Sequence, residues 1–205
     1  MRVTRSLSAL VLGGLIVAGM AAPALAAPEV GQPAPAFSGT DTKGKTWSLA
    51  DLKGQPVILE WTNHDCPYVK KHYGAGNMQA LQREAADAGY VWLSVISSAP
   101  GKQGHVSPTQ ADELTESRSA APRAVLLDEG GEIGRAYEAK TTPHMFVIDA
   151  DGILVYMGGI DDRPTTDPAD IDGADNYVRM AMADLAAGTP VRSPVTRPYG
   201  CSVKY

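Results

Sequence analysis

The run Pro56-Val57-Ile58-Leu59-Glu60-Trp61 constrains this chain more than any other stretch. It is compact, largely apolar and followed closely by Asn63, which reads as a strand buried in a sheet. Cys66 stands just beyond it, and Pro67 takes a place where proline is tolerated, the first position of a helix. A buried strand therefore delivers a cysteine to a helix N-terminus.

The rest of the chain alternates in the same way. Ala36 to Ser38 and Lys45 to Ser48 read as two short strands around the turn residues Asp41 to Gly44, an N-terminal hairpin. The helix after Cys66 carries Val69, Lys70, Lys71 and Tyr73. It is interrupted at Gly74-Ala75-Gly76 and restarts at Asn77, running to Ala88. Tyr90 to Ile96 is a second buried strand. A Gly- and Pro-containing loop leads to a polar helix capped by Thr109, followed by a strand at Ala124 to Leu127 and a helical turn at Gly131 to Tyr137. His144 to Asp149 and Ile153 to Met157 are apolar strands separated by the hairpin signal Ala150-Asp151-Gly152. A solvated loop rich in Asp, Pro and Thr spans Gly158 to Gly173. The last helix, Asp175 to Ala187, is expected to bury Tyr177, Met180 and Leu185. This order predicts an α/β protein with a central mixed sheet flanked by helices.

Residues 1–26 set the compartment. Arg2 and Arg5 precede an apolar stretch that closes on Ala24-Leu25-Ala26, the pattern of a cleavable secretory signal peptide. One domain over residues 27–189 and a Pro-rich tail over 190–205 remain. The expected location is the periplasm where the host has an outer membrane. A formal net charge of -5 gives no reason to expect nucleic acid or an acidic membrane surface as partner. Two cysteines are too few to staple a scaffold, so the core must hold the fold.

The two cysteines carry the chemistry. A thiolate is the reactive form, and helix N-terminal N–H groups with nearby cations favour it. Lys70 and Lys71 reinforce that field at Cys66, while Asp65 and an ionised Glu60 oppose it, so a moderate depression of the Cys66 pKa is expected. Cys201 lies in the terminal sequence TRPYGCSVKY. As the tip of a mobile arm it would resolve an intermediate on Cys66; Val203 and Tyr205 could dock on an apolar groove. As a permanent staple it would close a loop of roughly 130 residues and contribute about 4 to 5 kcal/mol. Asn63 and His64 are the polar side chains expected nearest Cys66, able to orient a substrate or shuttle a proton. His64, His72 and His144, with Met145, also raise a copper or zinc site as an alternative.

The residues Trp61 to Pro67, and Thr142-Pro143-His144-Met145-Phe146-Val147-Ile148-Asp149 before a hairpin, resemble the thioredoxin fold. The opening GQPAPAFSGTDTKGKTWSLADLKGQPVILEW is similar to the redoxin branch, the peroxiredoxin-like (AhpC/TSA-related) proteins, which keep the first cysteine of the thioredoxin motif and lose the second; Val69 stands in its place. The resemblance implies a cis Pro143 facing Cys66 and shaping a substrate groove, with the backbone near Thr142 offering hydrogen bonds to an extended peptide. It also implies a thiol oxidoreductase that needs no cofactor and no metal. Its partners would be a protein or small-molecule disulfide, or a peroxide, together with a reducing partner. Peroxiredoxins place Thr or Ser where this chain has Asn63 and an arginine near where it has Pro143, so weak peroxidase activity is expected. Copper chaperones on the same fold use paired cysteines in one loop, which this chain lacks.

Overall fold

The computed structural model describes residues 27–205; the expected leader lies outside them. In chain order the elements are β1 (Ser38–Thr40), β2 (Thr46–Ser48), β3 (Val57–Trp61), α1 (Pro67–Gly74), α2 (Asn77–Asp87), β4 (Val91–Ile96), α3 (Pro108–Ser117), β5 (Ala124–Leu127), α4 (Glu132–Ala136), β6 (Thr141–Thr142), β7 (His144–Ile148), β8 (Leu154–Gly158), α5 (Tyr177–Ala186) and β9 (Cys201–Ser202). Five strands form the main sheet in the order β5-β4-β3-β7-β8. β3, β4 and β5 run parallel, while β7 is antiparallel to β3 and to β8. Among the described residues no helix is long and apolar enough to cross a membrane.

β3 is central and all five of its residues are buried. Because successive side chains on a strand point to opposite faces, it divides the core in two. Leu59 and Trp61 join Phe146, Ile148 and Tyr137 on one face. Ile58 joins Cys66, Met78, Leu81, Trp92 and Met145 on the other, beneath α1 and α2. Each such fully buried aliphatic or aromatic side chain contributes about 1.5 to 3 kcal/mol by leaving water. Edge-to-face contacts of Phe146 with Trp61 and with Tyr137, at centroid distances of 5.1 and 5.2 Å, fix the first face.

Glu60 is the exception in this apolar strand, and it is fully buried. Its carboxylate accepts from Tyr73 Oη at 2.8 Å, Trp92 Nε1 at 2.9 Å, Ser94 Oγ at 2.9 Å and Gln82 Nε2 at 3.2 Å. A buried polar group is tolerated when its hydrogen bonds are made, and these four also tie β3 to β4, α1 and α2.

Local signals place most boundaries. Gly76, at φ +72°, supplies the left-handed residue between α1 and α2. Asp149 Oδ1 accepts from the N–H groups of Asp151 and Ile153 and closes the β7–β8 hairpin. Several expectations shift, β1 among them, which lies at Ser38–Thr40 instead of Ala36 to Ser38. Ser107, not Thr109, caps α3: Ser107 Oγ accepts from Gln110 N, Gln110 Oε1 accepts from Ser107 N, and Pro108 takes the first helical position. The buried residues of α5 are Val178, Ala181, Met182 and Asp184, whereas Tyr177, Met180 and Leu185 flank them half-buried. Asn176 caps that helix through Arg179 N, so its first turn starts at Tyr177, later than expected.

The tail departs furthest from expectation. It is a docked strand instead of a mobile arm. β9 pairs antiparallel with β6, Thr142 opposite Cys201 and Thr141 opposite Ser202. Val203 N donates to Lys140 O, Ala99 N to Lys204 O, and Tyr205 Oη to Ala139 O. The Tyr205 ring lies against Gly131 and Gly134, with the Arg135 guanidinium 4.8 Å from its centroid.

Candidate active site

The loop from β3 to α1 is built by Asn63. Its Oδ1 accepts from Asp65 N at 2.9 Å, its Nδ2 donates to Gln103 O at 3.3 Å, and its carbonyl accepts from Cys66 N at 3.1 Å. Both ends of the amide therefore hold the loop. Cys66 is the N-cap of α1 and Pro67 the first helical residue. Val69, buried on the same helix, stands where a second cysteine of a dithiol motif would be.

Cys66 is fully buried, and the polar groups around its sulfur come from two distant segments. The thiol donates to the carbonyl of Thr142 at 3.0 Å, in the cis Thr142–Pro143 unit. Cys201 N donates to the Cys66 sulfur at 3.4 Å. Both cysteines are free thiols here, Cys201 being half-buried. The backbone edge at Thr142, which the resemblance reserves for an extended peptide, is occupied by the chain's own β9.

The two thiols are driven apart in acidity. Burial pushes the Cys66 thiol up, but donation from the Cys201 thiol, the Thr142 hydroxyl and the backbone N–H groups of Val69 and Cys201 outweighs it and holds Cys66 below its ordinary value. Cys201 is pushed up to about 11 by burial, by its donation to Cys66 and by the negative charge of that sulfur. Of the two, Cys66 is the more acidic thiol and Cys201 the one that holds its proton longer. Hydrogen bonding to a sulfur favours its charged form, so removing the donor must raise its pKa. Ultraviolet thiolate absorbance of the reduced protein is expected to rise first below the ordinary thiol range and again near about 11. In Cys201→Ala the second rise disappears and the first moves to higher pH. Two coincident transitions at the ordinary thiol value would refute this division.

The histidines do not converge on Cys66. His144 lies on the Phe146 face of β7, its ring 4.4 Å from that of Phe146, opposite the Met145 and Val147 face that packs with Cys66. Its Nδ1 accepts from Lys140 N at 3.2 Å. His72 sits between Tyr199 and Asn77. Burial is the main cause that lowers both to about 3, with Lys71 and Lys140 adding to it. His64 is partly exposed, 3.4 Å from Asp65, on a cleft of about 470 Å³ shared with Lys70, Tyr73 and Arg118. Among the described residues no group of three or more His, Cys, Asp or Glu could hold a metal ion. Of the two lysines expected to favour the thiolate, Lys70 is exposed beside Asp65, and Lys71 is buried with its Nζ donating to Arg163 O at 2.9 Å.

Three features were missed from sequence. β6 and β9 are two residues each, too short for a periodic signal. Asp161, read as part of a solvated loop, is buried and accepts from Tyr199 Oη. Glu60, read as an ionised opponent of the thiolate, is enclosed by four side-chain donors.

A mixed sheet with a cysteine at the N-terminus of the helix after its central strand, facing a cis-proline turn, defines the thioredoxin-like class. A crystal structure of the thioredoxin domain of the thiol-disulfide oxidoreductase BVU-2223 from Bacteroides vulgatus superposes with a TM-score of 0.50 at 22% identity, covering 63% of this chain and 87% of that one. The AhpC/TSA family model matches residues 30–157, and the chain belongs to that family. It is 28% identical over 133 residues to the thiol-disulfide oxidoreductase ResA of Bacillus thuringiensis subsp. konkukian, which covers 62% of this chain and 67% of that protein. The crystal structure of an uncharacterized conserved protein from Geobacillus kaustophilus is more similar in shape: TM-score 0.74 at 27% identity, over 86% of this chain and 92% of that one.

Proposed function

We propose that this chain is an exported thiol-disulfide oxidoreductase in which Cys66 is the nucleophile and Cys201 the resolving cysteine. The observation that carries the reading is the placement of Cys201 by β9, its backbone N–H donating to the Cys66 sulfur. The likeness to ResA and the leader pattern of residues 1–26 support the reaction class and the export.

The Cys66 thiolate attacks one sulfur of a substrate disulfide, forms a mixed disulfide and expels the other sulfur as thiolate. The negative charge on Cys66 is then gone, and with it two of the causes that keep Cys201 protonated. Cys201 loses its proton, attacks the Cys66 sulfur and releases the second substrate thiolate. The Cys66–Cys201 disulfide formed has given up two electrons, and a thiol partner restores it. Resolution before the first attack is suppressed because Cys201 ionises only at about 11 until Cys66 has reacted. Thr142, Pro143 and Pro67 frame the reacting sulfur, while Asn63 and His64 act through the loop that carries it.

Treatment with a disulfide oxidant is expected to leave no free thiol, with mass spectrometry joining the Cys66 and Cys201 peptides. Mild reductant then releases two thiols with the circular dichroism unchanged. Both cysteines free after oxidation would remove the reading; a disulfide whose reduction unfolds the domain would make it a structural staple.

A further inference from the structure

Tyr199, two residues before Cys201, reaches back into the domain. Its ring meets that of Tyr68 on α1 edge-to-face, with centroids 5.7 Å apart. Its hydroxyl donates to Asp161 Oδ1 and lies 3.2 Å from His72 Nε2. The other ring nitrogen of His72 is 2.9 Å from Asn77 Nδ2, an amide donor. Nδ1 therefore accepts, Nε2 carries the hydrogen, and the bonds run one way: Asn77 to His72, His72 to Tyr199, Tyr199 to Asp161. Arg163 N also donates to Asp161 Oδ1, at 2.9 Å. His72 and Asp161 are buried, and burial with Lys71 nearby keeps the imidazole neutral, its pKa lowered to about 3. This polar chain crosses from α2 through α1 to the loop after β8, and the exchange chemistry at Cys66 uses none of it. It meets the site through α1, which Cys66 caps, and through the tail that carries Cys201.

We propose that Tyr199 is the positioning residue of the second cysteine: its hydroxyl, clamped between His72 and Asp161, holds β9 on Thr142 and so both presents Cys201 to Cys66 and covers Cys66. The proposal rests on the reading of Cys66 and Cys201 as an exchange pair. A first anchor lies upstream, where Pro194 O and Thr196 N bond Met157 N and Met157 O on β8. The clamp and a third anchor flank Cys201, the third where Val203 N, Lys204 O and Tyr205 Oη bond Lys140 O, Ala99 N and Ala139 O. Between them Gly200, Cys201 and Ser202 lie along Thr141 and Thr142. A cleft of about 530 Å³ lined by Tyr68, Thr141, Tyr177, Tyr199 and Gly200 runs beside this stretch, so a tail released at Tyr199 has space to move into.

Loss of such a clamp slows closure and speeds labelling while the melting temperature stays near wild type, which general destabilisation would lower. Tyr199→Phe keeps the ring and its contact with Tyr68 but loses both hydroxyl bonds. In single-turnover reaction with a chromogenic aromatic disulfide, closure of the Cys66–Cys201 disulfide is expected to slow on the order of tenfold, the effect of losing a hydrogen bond to a charged acceptor. Labelling of Cys66 by a maleimide, measured in a Cys201→Ser background with and without Tyr199→Phe, is expected to accelerate. Asp161→Asn retains an acceptor for Tyr199 and is expected to fall between wild type and Tyr199→Phe in both assays, which guards against a folding artefact. Closure and labelling both indistinguishable from wild type, or both changing in the same direction, would overturn the positioning role alone. A wild-type protein that closes no disulfide would bring down the exchange reading and this role with it.

Discussion

Cys66→Ser is expected to reduce disulfide exchange to background, whereas Cys201→Ser should still react once and then hold the substrate as a mixed disulfide on Cys66. The two outcomes differ because the thiols differ in acidity. Cys66 is held below its ordinary value by donors from the tail and the helix, while Cys201 is pushed up to about 11. A serine hydroxyl at position 66 is not ionised by that environment and forms no bond to sulfur. Without Cys201, the mixed disulfide waits for an external thiol. Mass spectrometry after reaction with a glutathionylated peptide reads both states. With hydrogen peroxide the first step should be slow even in wild type, since the Asn63 amide is bound to Gln103 O and Asp65 N and Pro143 has no donor to polarise the O–O bond. Exchange that survives Cys66→Ser and vanishes in Cys201→Ser would reverse the two roles.

Gly200→Ala should be nearly as damaging although it removes no reacting atom. Gly200 has φ +134°, a conformation L side chains rarely adopt, and a methyl group there would overlap the Thr142 carbonyl oxygen. That carbonyl accepts the Cys66 thiol, so either the tail or the turn bearing Pro143 must shift. A displacement of about 1 Å in a reacting group costs on the order of a hundredfold in rate. Closure of the Cys66–Cys201 disulfide is therefore expected to slow by that order, while Cys66, no longer covered by β9, becomes reactive towards bulky maleimides. Near-wild-type melting would locate the effect in the tail. Closure at the wild-type rate would mean that β9 pairing does not set the approach of the two sulfurs.

Both predictions turn on a contact with no local signature, and this divides what could be read from the chain from what could not. The buried strand at Pro56 to Trp61, the cysteine at a helix start, the break at Gly74 to Gly76 and the Asp149 to Gly152 hairpin were legible, because periodicity, proline and glycine act within a few residues. The acidity of Cys66 was legible in direction only. The helix N-terminus was foreseen, but the hydrogen-bond partners Cys201 and Thr142 come from segments 135 and 76 residues away.

The amino-acid sequence by itself determined the α/β order, the two cysteines and the family likeness. Only tertiary pairing decided which groups meet. His144 is paired with Trp61 across the antiparallel β3–β7 ladder, and strand alternation puts it on the face away from Cys66. Asp161 is buried because Tyr199 arrives from 38 residues further on, and Cys201 reaches Cys66 because two residues of tail add to two residues of β6. A two-residue strand has no period to detect. Its place is set by the bonds the domain offers it at Thr142, Lys140, Ala99 and Asp161, and those positions exist only once the sheet and helices have packed.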